Sequence, residues 1–167
     1  MKYFDARPLI RSGDLLAFSH GGWGTWKDIK VNLVRMFTRS TYSHVGIAWV
    51  VGENVFVLEA VKPKLRIFPL SASGDFYLLP MHAPWLQQSE DYALRKIGTD
   101  YSEMVAFRAF FGPLVKGSVQ QCAAYAREIL LCDGVDLGNR STPDAVVYAA
   151  LQLGCDIDFI SNPGDTP

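Results

Sequence analysis

A histidine and a carboxylate on two neighbouring predicted strands are the first residues in this chain that could do chemistry. The run 42–51 is rich in β-branched and aromatic residues, which predicts a strand, and it carries His44 near its start. A turn signal follows, and the next apolar run, 55–61, contains one carboxylate, Glu59. Burying an unpaired charge in an apolar strand is costly, so Glu59 needs a partner, and His44 is the candidate.

The pairing register decides whether these two side chains meet. With a hairpin loop of two residues (Gly52-Glu53) or four residues, Gly46 faces Glu59 and His44 faces Val61. His44 and Glu59 are then diagonal neighbours on one face, roughly 7–8 Å apart at the backbone, and Gly46 leaves the space between them open. A three-residue loop without a bulge would slip the register by one residue and place Glu59 on the opposite face.

A thiol in the first turns of a predicted helix is the second candidate. Ser118 is placed to cap a helix over 119–131, and Cys122 lies about one turn inside it. Partial positive charge from unpaired amides favours a thiolate there, and a histidine delivered by a strand would complete a thiol nucleophile. The alternative is that Cys122 only packs, as buried cysteines often do. We assign Cys132 and Cys155 to packing.

Length and composition favour one domain, 1–167, with its core over about 11–160. The chain has 167 residues, and 49% of them are hydrophobic, which suffices for a substantial core. With 16 basic and 17 acidic residues the net charge is −1, so there is no broad electrostatic case for binding nucleic acid. Three cysteines without CxxC spacing argue against a disulfide framework and a zinc site. We expect no metal ion and no cofactor.

The sequence also gives an expectation for the cellular compartment of the protein. The N-terminal stretch lacks the long apolar core of a signal peptide, and no run approaches the length of a membrane span. We therefore expect a cytoplasmic protein without a transmembrane segment, in a reducing compartment where a cysteine stays a thiol. Delivery elsewhere by another route and the oligomeric state are left open.

Strands fill the first half of the chain and helices the second, which predicts an α+β domain with an antiparallel sheet and helices packed on one side. The predicted strands lie at 15–18, 42–51, 55–61, 65–70 and 76–81. The predicted helices lie at 26–38, 84–97, 102–111, 119–131 and from Pro143 onward, with Thr142 as the cap of the last. The polar tail, 161–167, is expected to fray.

These motifs and their order resemble those of a known family. Five features follow the order typical of the circularly permuted NlpC-type hydrolases: Gly13-Asp14-Leu15-Leu16-Ala17-Phe18, Tyr42-Ser43-His44-Val45-Gly46-Ile47, Leu58-Glu59-Ala60, Gly98-Thr99-Asp100-Tyr101, and Cys122 near the start of a helix. Members of this family are papain-like cysteine hydrolases of the YiiX and YaeF type, related to lecithin retinol acyltransferase. The resemblance spans about residues 11–150 and implies a papain-like fold in which the histidine strand precedes the cysteine helix.

The resemblance also implies a role for each candidate. Cys122 would be the nucleophile, His44 the general base and Glu59 the group that orients the imidazole. Tyr101 would help to stabilise the oxyanion. Many permuted members have a Ser-Glu pair directly after the cysteine, where this chain has Ala123-Ala124, so the resemblance implies the fold without identifying the substrate.

Three further residues are assigned to substrate binding. Ser43 and Gln121 each adjoin a candidate catalytic residue in the sequence. Trp23 lies in a glycine-rich loop, 19–25, which lacks the context of a phosphate cradle and is predicted to border the cleft as a lid. An ordinary surface loop is the alternative.

Two classes of function follow from these residues. The first is a thiol hydrolase (a peptidase or amidase) that cleaves an amide bond, for example in cell-wall peptide, through a Cys-His-Glu triad and a thioester. A lipid esterase or acyltransferase would use the same triad. The second class is a non-catalytic module that binds a peptide or acyl chain in the same cleft. The expected partner is a peptide, a peptidoglycan fragment or an acyl lipid. His20 and His82 are competing bases, which we assign to surface or structural roles.

Overall fold

Six strands form the framework of the part of the chain that the computed structural model describes, residues 1–19, 42–61, 63–99 and 121–162. The strands are β1 (Leu15–Phe18), β2 (His44–Val51), β3 (Asn54–Val61), β4 (Lys64–Pro69), β5 (Phe76–Leu79) and β6 (Asp158–Ile160). The α-helices are α1 (Tyr3–Ala6), α2 (Gln87–Lys96), α3 (Gln121–Cys132) and α4 (Pro143–Gln152), and 3-10 turns lie at Arg7–Leu9 and Leu70–Ala72.

The strands pair in the order β4-β3-β2-β1-β5-β6, and each neighbouring pair is antiparallel. β2, which begins at His44, therefore lies inside the sheet between β1 and β3. The helix α3 packs against β2 and β3, with α2 and α4 beside it. The predicted α+β class, with an antiparallel sheet and helices packed on one side, is confirmed.

The β2–β3 hairpin has the register expected from its two-residue loop. Ile47 pairs with Leu58 and Val51 with Asn54, which leaves Gly52 and Glu53 as the turn. The register places Gly46 beside Glu59 and is the one on which the His44–Glu59 contact depends.

The two faces of the sheet bury different apolar sets. Alternation along β1 and β2 sends Leu15, Val45 and Ile47 to the face that the helices cover, where they pack with the buried alanines of α3. The intervening residues Leu16 and Phe18 pack on the other face, which the N-terminal segment helps to cover. Because alanine has a small side chain, α3 approaches β2 and β3 closely.

Long-range contacts account for the differences from the expected boundaries. The helix expected from Pro84 begins at Gln87, because Leu86 is extended and its N–H donates to Oδ1 of Asp133, just beyond α3.

Two helix ends agree with the sequence pattern. α2 is followed by Gly98, with a φ of 81°, as expected. Thr142 caps α4 as predicted, since its hydroxyl oxygen accepts from the N–H of Ala145 at 3.3 Å.

The expectation of a frayed tail is wrong for its first two residues. The N–H of Ser161 donates to the carbonyl oxygen of Met1 at 2.8 Å. Asn162 is buried, and its side-chain amide donates to the carbonyl oxygen of Leu70 at 2.8 Å. These bonds tie the end of the described chain to its beginning and to the 3-10 turn at Leu70–Ala72. They directly follow β6, a strand that the sequence pattern did not predict.

Some expectations fall outside the described residues: the helices at 26–38 and 102–111, the Ser118 cap and the rest of the tail, 163–167. Among the helices that the structure describes, none has the length and apolarity to cross a bilayer.

Replacing Gly46 with alanine should destabilise the sheet. A Cβ at this position would lie 2.4 Å from Cγ2 of Val57 and 3.0 Å from the carbonyl oxygen of Leu58. Overpacking of this kind costs about 1–3 kcal/mol, which a lowered urea midpoint would report. The same change in a Val57→Ala background should cost less, because the closest contact is gone. An equal cost in both backgrounds would show that Val57 does not limit position 46.

Candidate active site

The His44–Glu59 pair lies at the start of β2 and within β3. Nε2 of His44 donates a hydrogen bond to Oε2 of Glu59 across 2.6 Å. The Glu59 side chain is 6% exposed and that of His44 is 18% exposed, so water screens this contact poorly. Gly46 makes the approach possible, because a Cβ there would lie 3.4 Å from Cβ of Glu59 and still closer to Val57.

Arg66, on the edge strand β4, holds the other oxygen of the same carboxylate. It pairs directly with Glu59 across the β3–β4 ladder. Its Nε and Nη2 each lie 2.8 Å from Oε1. The guanidinium also lies over the ring of Phe68, with its carbon 4.4 Å from the ring centroid. The two oxygens of Glu59 are thus divided between an imidazole and a guanidinium.

Cys122 completes the group from the helix. It is the second residue of α3 as described, it is buried, and its side chain is hydrogen-bonded with that of His44. Because Nε2 of His44 faces Glu59, Nδ1 is the ring nitrogen left for the thiol. We call the series Cys122, His44, Glu59 and Arg66 the ionic row.

The surroundings of His44 favour the imidazolium. Burial alone would lower the pKa of His44, but the hydrogen bonds with Cys122 and Glu59, together with their charges, raise it to about 9. Burial likewise opposes ionisation of Glu59, yet the hydrogen bonds and charges of His44 and Arg66 keep the pKa of its carboxyl below the ordinary value. At neutral pH the proton of this pair therefore lies on His44, next to the thiol.

The residues expected to bind substrate are placed as follows. Ser43 precedes His44, and its N–H and hydroxyl both donate to the carbonyl oxygen of Phe18, at 3.0 and 3.3 Å. The ring of Phe18 lies 5.7 Å from that of His44 and forms one wall beside it. Gln121 is buried directly before Cys122. Their roles in binding stay predictions.

Two expected site residues, Tyr101 and Trp23, lie outside the described residues, and so does the competing base His20. The other competing base, His82, is exposed, lies after β5 and has a φ of 53°. It lies close enough to Asp14 for its charge to lower the pKa of that carboxyl, against the larger opposing effect of burial.

Arg66 is the member of the row that the sequence reading missed. The sequence predicted that the fourth strand starts at residue 65, one residue later than in the structure. In the structure β4 begins at Lys64, which pairs with Val61, so that Glu59 faces Arg66. A two-residue loop between the third and fourth strands, assumed as it was for the β2–β3 hairpin, would have predicted that Arg66 pairs with Glu59.

The two remaining cysteines have different surroundings from Cys122. Burial raises the pKa of Cys132, with further contributions from the charges of Asp133 and Glu128. Burial also raises the pKa of Cys155, whose sulfur lies 3.8 Å from that of Met81. Both thiols are therefore poorer nucleophiles at neutral pH, which agrees with the packing roles expected for them.

We expect the His44 imidazole to titrate near pH 9, as followed by NMR of labelled histidine and assigned with His44→Gln. Cys122→Ala and Glu59→Gln should each lower this midpoint, because each removes a group that raises the pKa. A wild-type midpoint near 6.5, the value of an unperturbed histidine, would contradict the described geometry.

The same shift predicts a pH dependence of stability. The pKa of His44 is higher in the folded protein than in the unfolded chain, where it is about 6.5. The imidazolium therefore stabilises the fold fully below about pH 6.5, and this contribution is lost as the pH rises through about 9. The urea midpoint should fall over this window, and it should fall less in His44→Gln. An identical fall in both proteins would assign the effect to other groups.

Comparisons with known proteins support the fold. No protein-family model and no curated protein matches the sequence. A crystal structure described as that of the metalloprotein YiiX from Escherichia coli O157:H7 is similar, with a TM-score of 0.53 and 18% identity over 86% of this chain and 81% of that one. In the ranges described here, no group of three or more His, Cys, Asp or Glu side chains could hold a metal ion. The chain thus has a YiiX-like fold, which fits the papain-like class expected from the sequence.

Proposed function

We propose that the chain is a thiol hydrolase, a peptidase or amidase, that cleaves an amide bond through Cys122, His44 and Glu59. The observation that carries this proposal is the continuous hydrogen bonding from the thiol to the imidazole to the buried carboxylate. A nucleophile, a base within reach and a third group that orients the base are the elements of covalent acyl transfer. The YiiX-like fold supports the proposal without determining the activity.

In the first half of the proposed reaction, the imidazolium of His44 stabilises the thiolate of Cys122. The sulfur attacks the carbonyl carbon of the substrate, a carbon–sulfur bond forms, and the carbonyl electrons move to oxygen. When this intermediate collapses, the carbon–nitrogen bond breaks and His44 gives its Nδ1 proton to the departing amine. The products are a free amine and a thioester on Cys122.

In the second half, neutral His44 takes a proton from water while the water oxygen attacks the thioester carbonyl. The carbon–sulfur bond then breaks, the acid leaves, and the thiolate and imidazolium are restored. Glu59 fixes the ring through Nε2 in both halves and favours its charged form. We keep Tyr101 as the proposed oxyanion donor and Trp23 as the proposed lid.

The proposed substrate is a peptide, with an amide bond in cell-wall peptide as the specific candidate. A lipid esterase or acyltransferase would form the same thioester and differ only in the bond broken or in the acceptor that replaces water. A module that only binds would hold the same ligands without forming the thioester. Mass analysis of the adduct on Cys122 therefore separates these alternatives.

Cys122 should react with iodoacetamide near neutral pH much faster than Cys132 and Cys155. Cys122 lies beside an imidazolium, whereas the other two thiols, whose pKa burial already raises, lie near carboxylates that raise it further. Peptide mapping by mass spectrometry would measure the three rates, and His44→Gln should slow only the reaction at Cys122. Equal rates at the three positions would remove the basis for a reactive thiol.

Turnover should depend on the same residues once a substrate is found among peptidoglycan peptides, other peptides and acyl lipids. Cys122→Ala and His44→Ala should abolish it. Glu59→Gln should lower kcat about 10- to 100-fold, the effect of losing a charged hydrogen bond of about 1.5–3 kcal/mol. The matched control is the Cys132→Ala/Cys155→Ala protein, which should keep the wild-type rate.

The residues of one catalytic unit are not additive, so Glu59→Gln should cost little more in a His44→Ala background. A Glu59→Gln protein with the wild-type rate and pH profile would show that another group orients His44. If Cys122 is reactive but no candidate substrate leaves a thioester, the binding module replaces the hydrolase as the better account.

A further inference from the structure

We infer that Arg66 is a positioning residue of this site: it keeps Glu59 ionised and directs one oxygen of its carboxylate to His44. The inference rests on the proposed function, because it assigns Arg66 a part in the chemistry of Cys122 and His44. If Arg66 had no role in that chemistry, it would be an ordinary ion-pairing residue on an edge strand.

The geometry of the ion pair is directional. Both nitrogens of Arg66 that contact Glu59 approach the same oxygen, Oε1, at 2.8 Å. Oε2 is thereby left to His44 at 2.6 Å. A planar guanidinium with two donors fixes the carboxylate plane as well as its charge. A carboxylate with no second partner could rotate about its last bond and present either oxygen to the imidazole.

Arg66 is itself held in place from the other side. Its guanidinium lies over the ring of Phe68, the next residue but one on β4, at 4.4 Å from the centroid. Its side chain is 48% exposed, whereas Glu59 is buried. A guanidinium stays protonated throughout the working pH range, so this position supplies a constant positive charge at the solvent edge of a buried carboxylate.

The charge matters because His44 and Glu59 share one proton at neutral pH. The pair can exist as imidazolium and carboxylate or as neutral imidazole and carboxylic acid, and burial favours the neutral form. Among the described residues, the charged or titratable groups that face Glu59 are His44 from β2 and Arg66 from β4, and Cys122 from α3 lies beyond the imidazole. Arg66 is thus the partner whose charge opposes protonation of Glu59 without titrating.

Without Arg66, Glu59 should take up a proton at a higher pH than in the wild type, because one of the groups that lower its pKa is gone. A protonated carboxyl is a weaker acceptor for the Nε2 proton of His44, so it no longer fixes the imidazolium beside Cys122. As the pH is lowered, the alkylation rate of Cys122 should then begin to fall at a higher pH than in the wild type. The rate near neutral pH should change less. A purely structural contact would lower stability and leave this pH dependence in place.

The test is the pH dependence of the alkylation rate of Cys122 in the Cys132→Ala/Cys155→Ala background, with iodoacetamide as the probe. The acid limb of this profile is the range in which the alkylation rate falls as the pH is lowered. Arg66→Gln should move the acid limb about one pH unit upward, so that the rate at pH 5 falls up to about tenfold. Arg66→Lys keeps the charge and should restore the wild-type limb to within about twofold. The matched control is Arg7→Gln, which removes another arginine near a glutamate, Glu53, whose side chain is 97% exposed; it should not move the limb.

A double variant shows whether Arg66 acts through Glu59. In a Glu59→Gln background, Arg66→Gln should give no further shift. An acid limb that is unchanged in Arg66→Gln, or that shifts equally with and without Glu59, would overturn the inference. Arg66→Met, which keeps the apolar stem over Phe68, serves as a second neutral variant if Arg66→Gln does not fold, and the same outcomes apply to it.

Alkylation needs no substrate, so the two proposals can fail separately. If no substrate is ever turned over but Arg66→Gln shifts the acid limb, the hydrolase proposal fails and the role of Arg66 stands. If turnover depends on Cys122 and the acid limb does not move, the hydrolase stands and Arg66 is a structural residue only.

Discussion

The structure depends on a buried carboxylate in an inner strand of its sheet. Glu59 is 5% exposed, and a carboxylate in such a place is tolerated only if its charge is compensated. Compensation comes from both neighbouring strands at once, from His44 on β2 and from Arg66 on β4. One side chain therefore makes contacts that depend on the registers of two hairpins. A slip of one residue in either hairpin would turn a cation to the opposite face and leave the charge unpaired.

The contact between His44 and Glu59 explains why β2, a largely apolar strand, contains a glycine. Gly46 lies beside Glu59 and Val57, and the space that its Cβ would occupy is filled by Cγ2 of Val57. Glycine weakens a strand interior unless something else uses the room. Here the neighbouring strand uses it, so that His44 and Glu59 approach to hydrogen-bonding distance while the apolar packing of that face stays intact.

The parts of this structure that sequence could predict are those that local patterns determine. The β2–β3 register followed from counting turn residues, and with it the contact between His44 and Glu59. Features set by distant residues were missed. α2 begins late because Asp133 accepts from the N–H of Leu86, and the three-residue strand β6 exists because β5 pairs with it. The same counting argument applied to Arg66, but the predicted start of the fourth strand was one residue too late, so the pairing of Arg66 with Glu59 was missed.

The ionised form of the site follows from the alternation of charge along the ionic row. Imidazolium, carboxylate and guanidinium alternate in sign, so the carboxylate of Glu59 has a cation on each side. Burial lowers the pKa of an isolated histidine, yet that of His44 rises to about 9 because its neighbours on both sides favour the charged ring. The row ends at Arg66, which is half exposed, so water can solvate the charge of its guanidinium. A row that ended at Glu59 would leave Oε1 of this buried carboxylate without its charged partner. The exposed arginine on the edge strand therefore helps to keep Glu59 and His44 both charged in a site from which water is largely excluded.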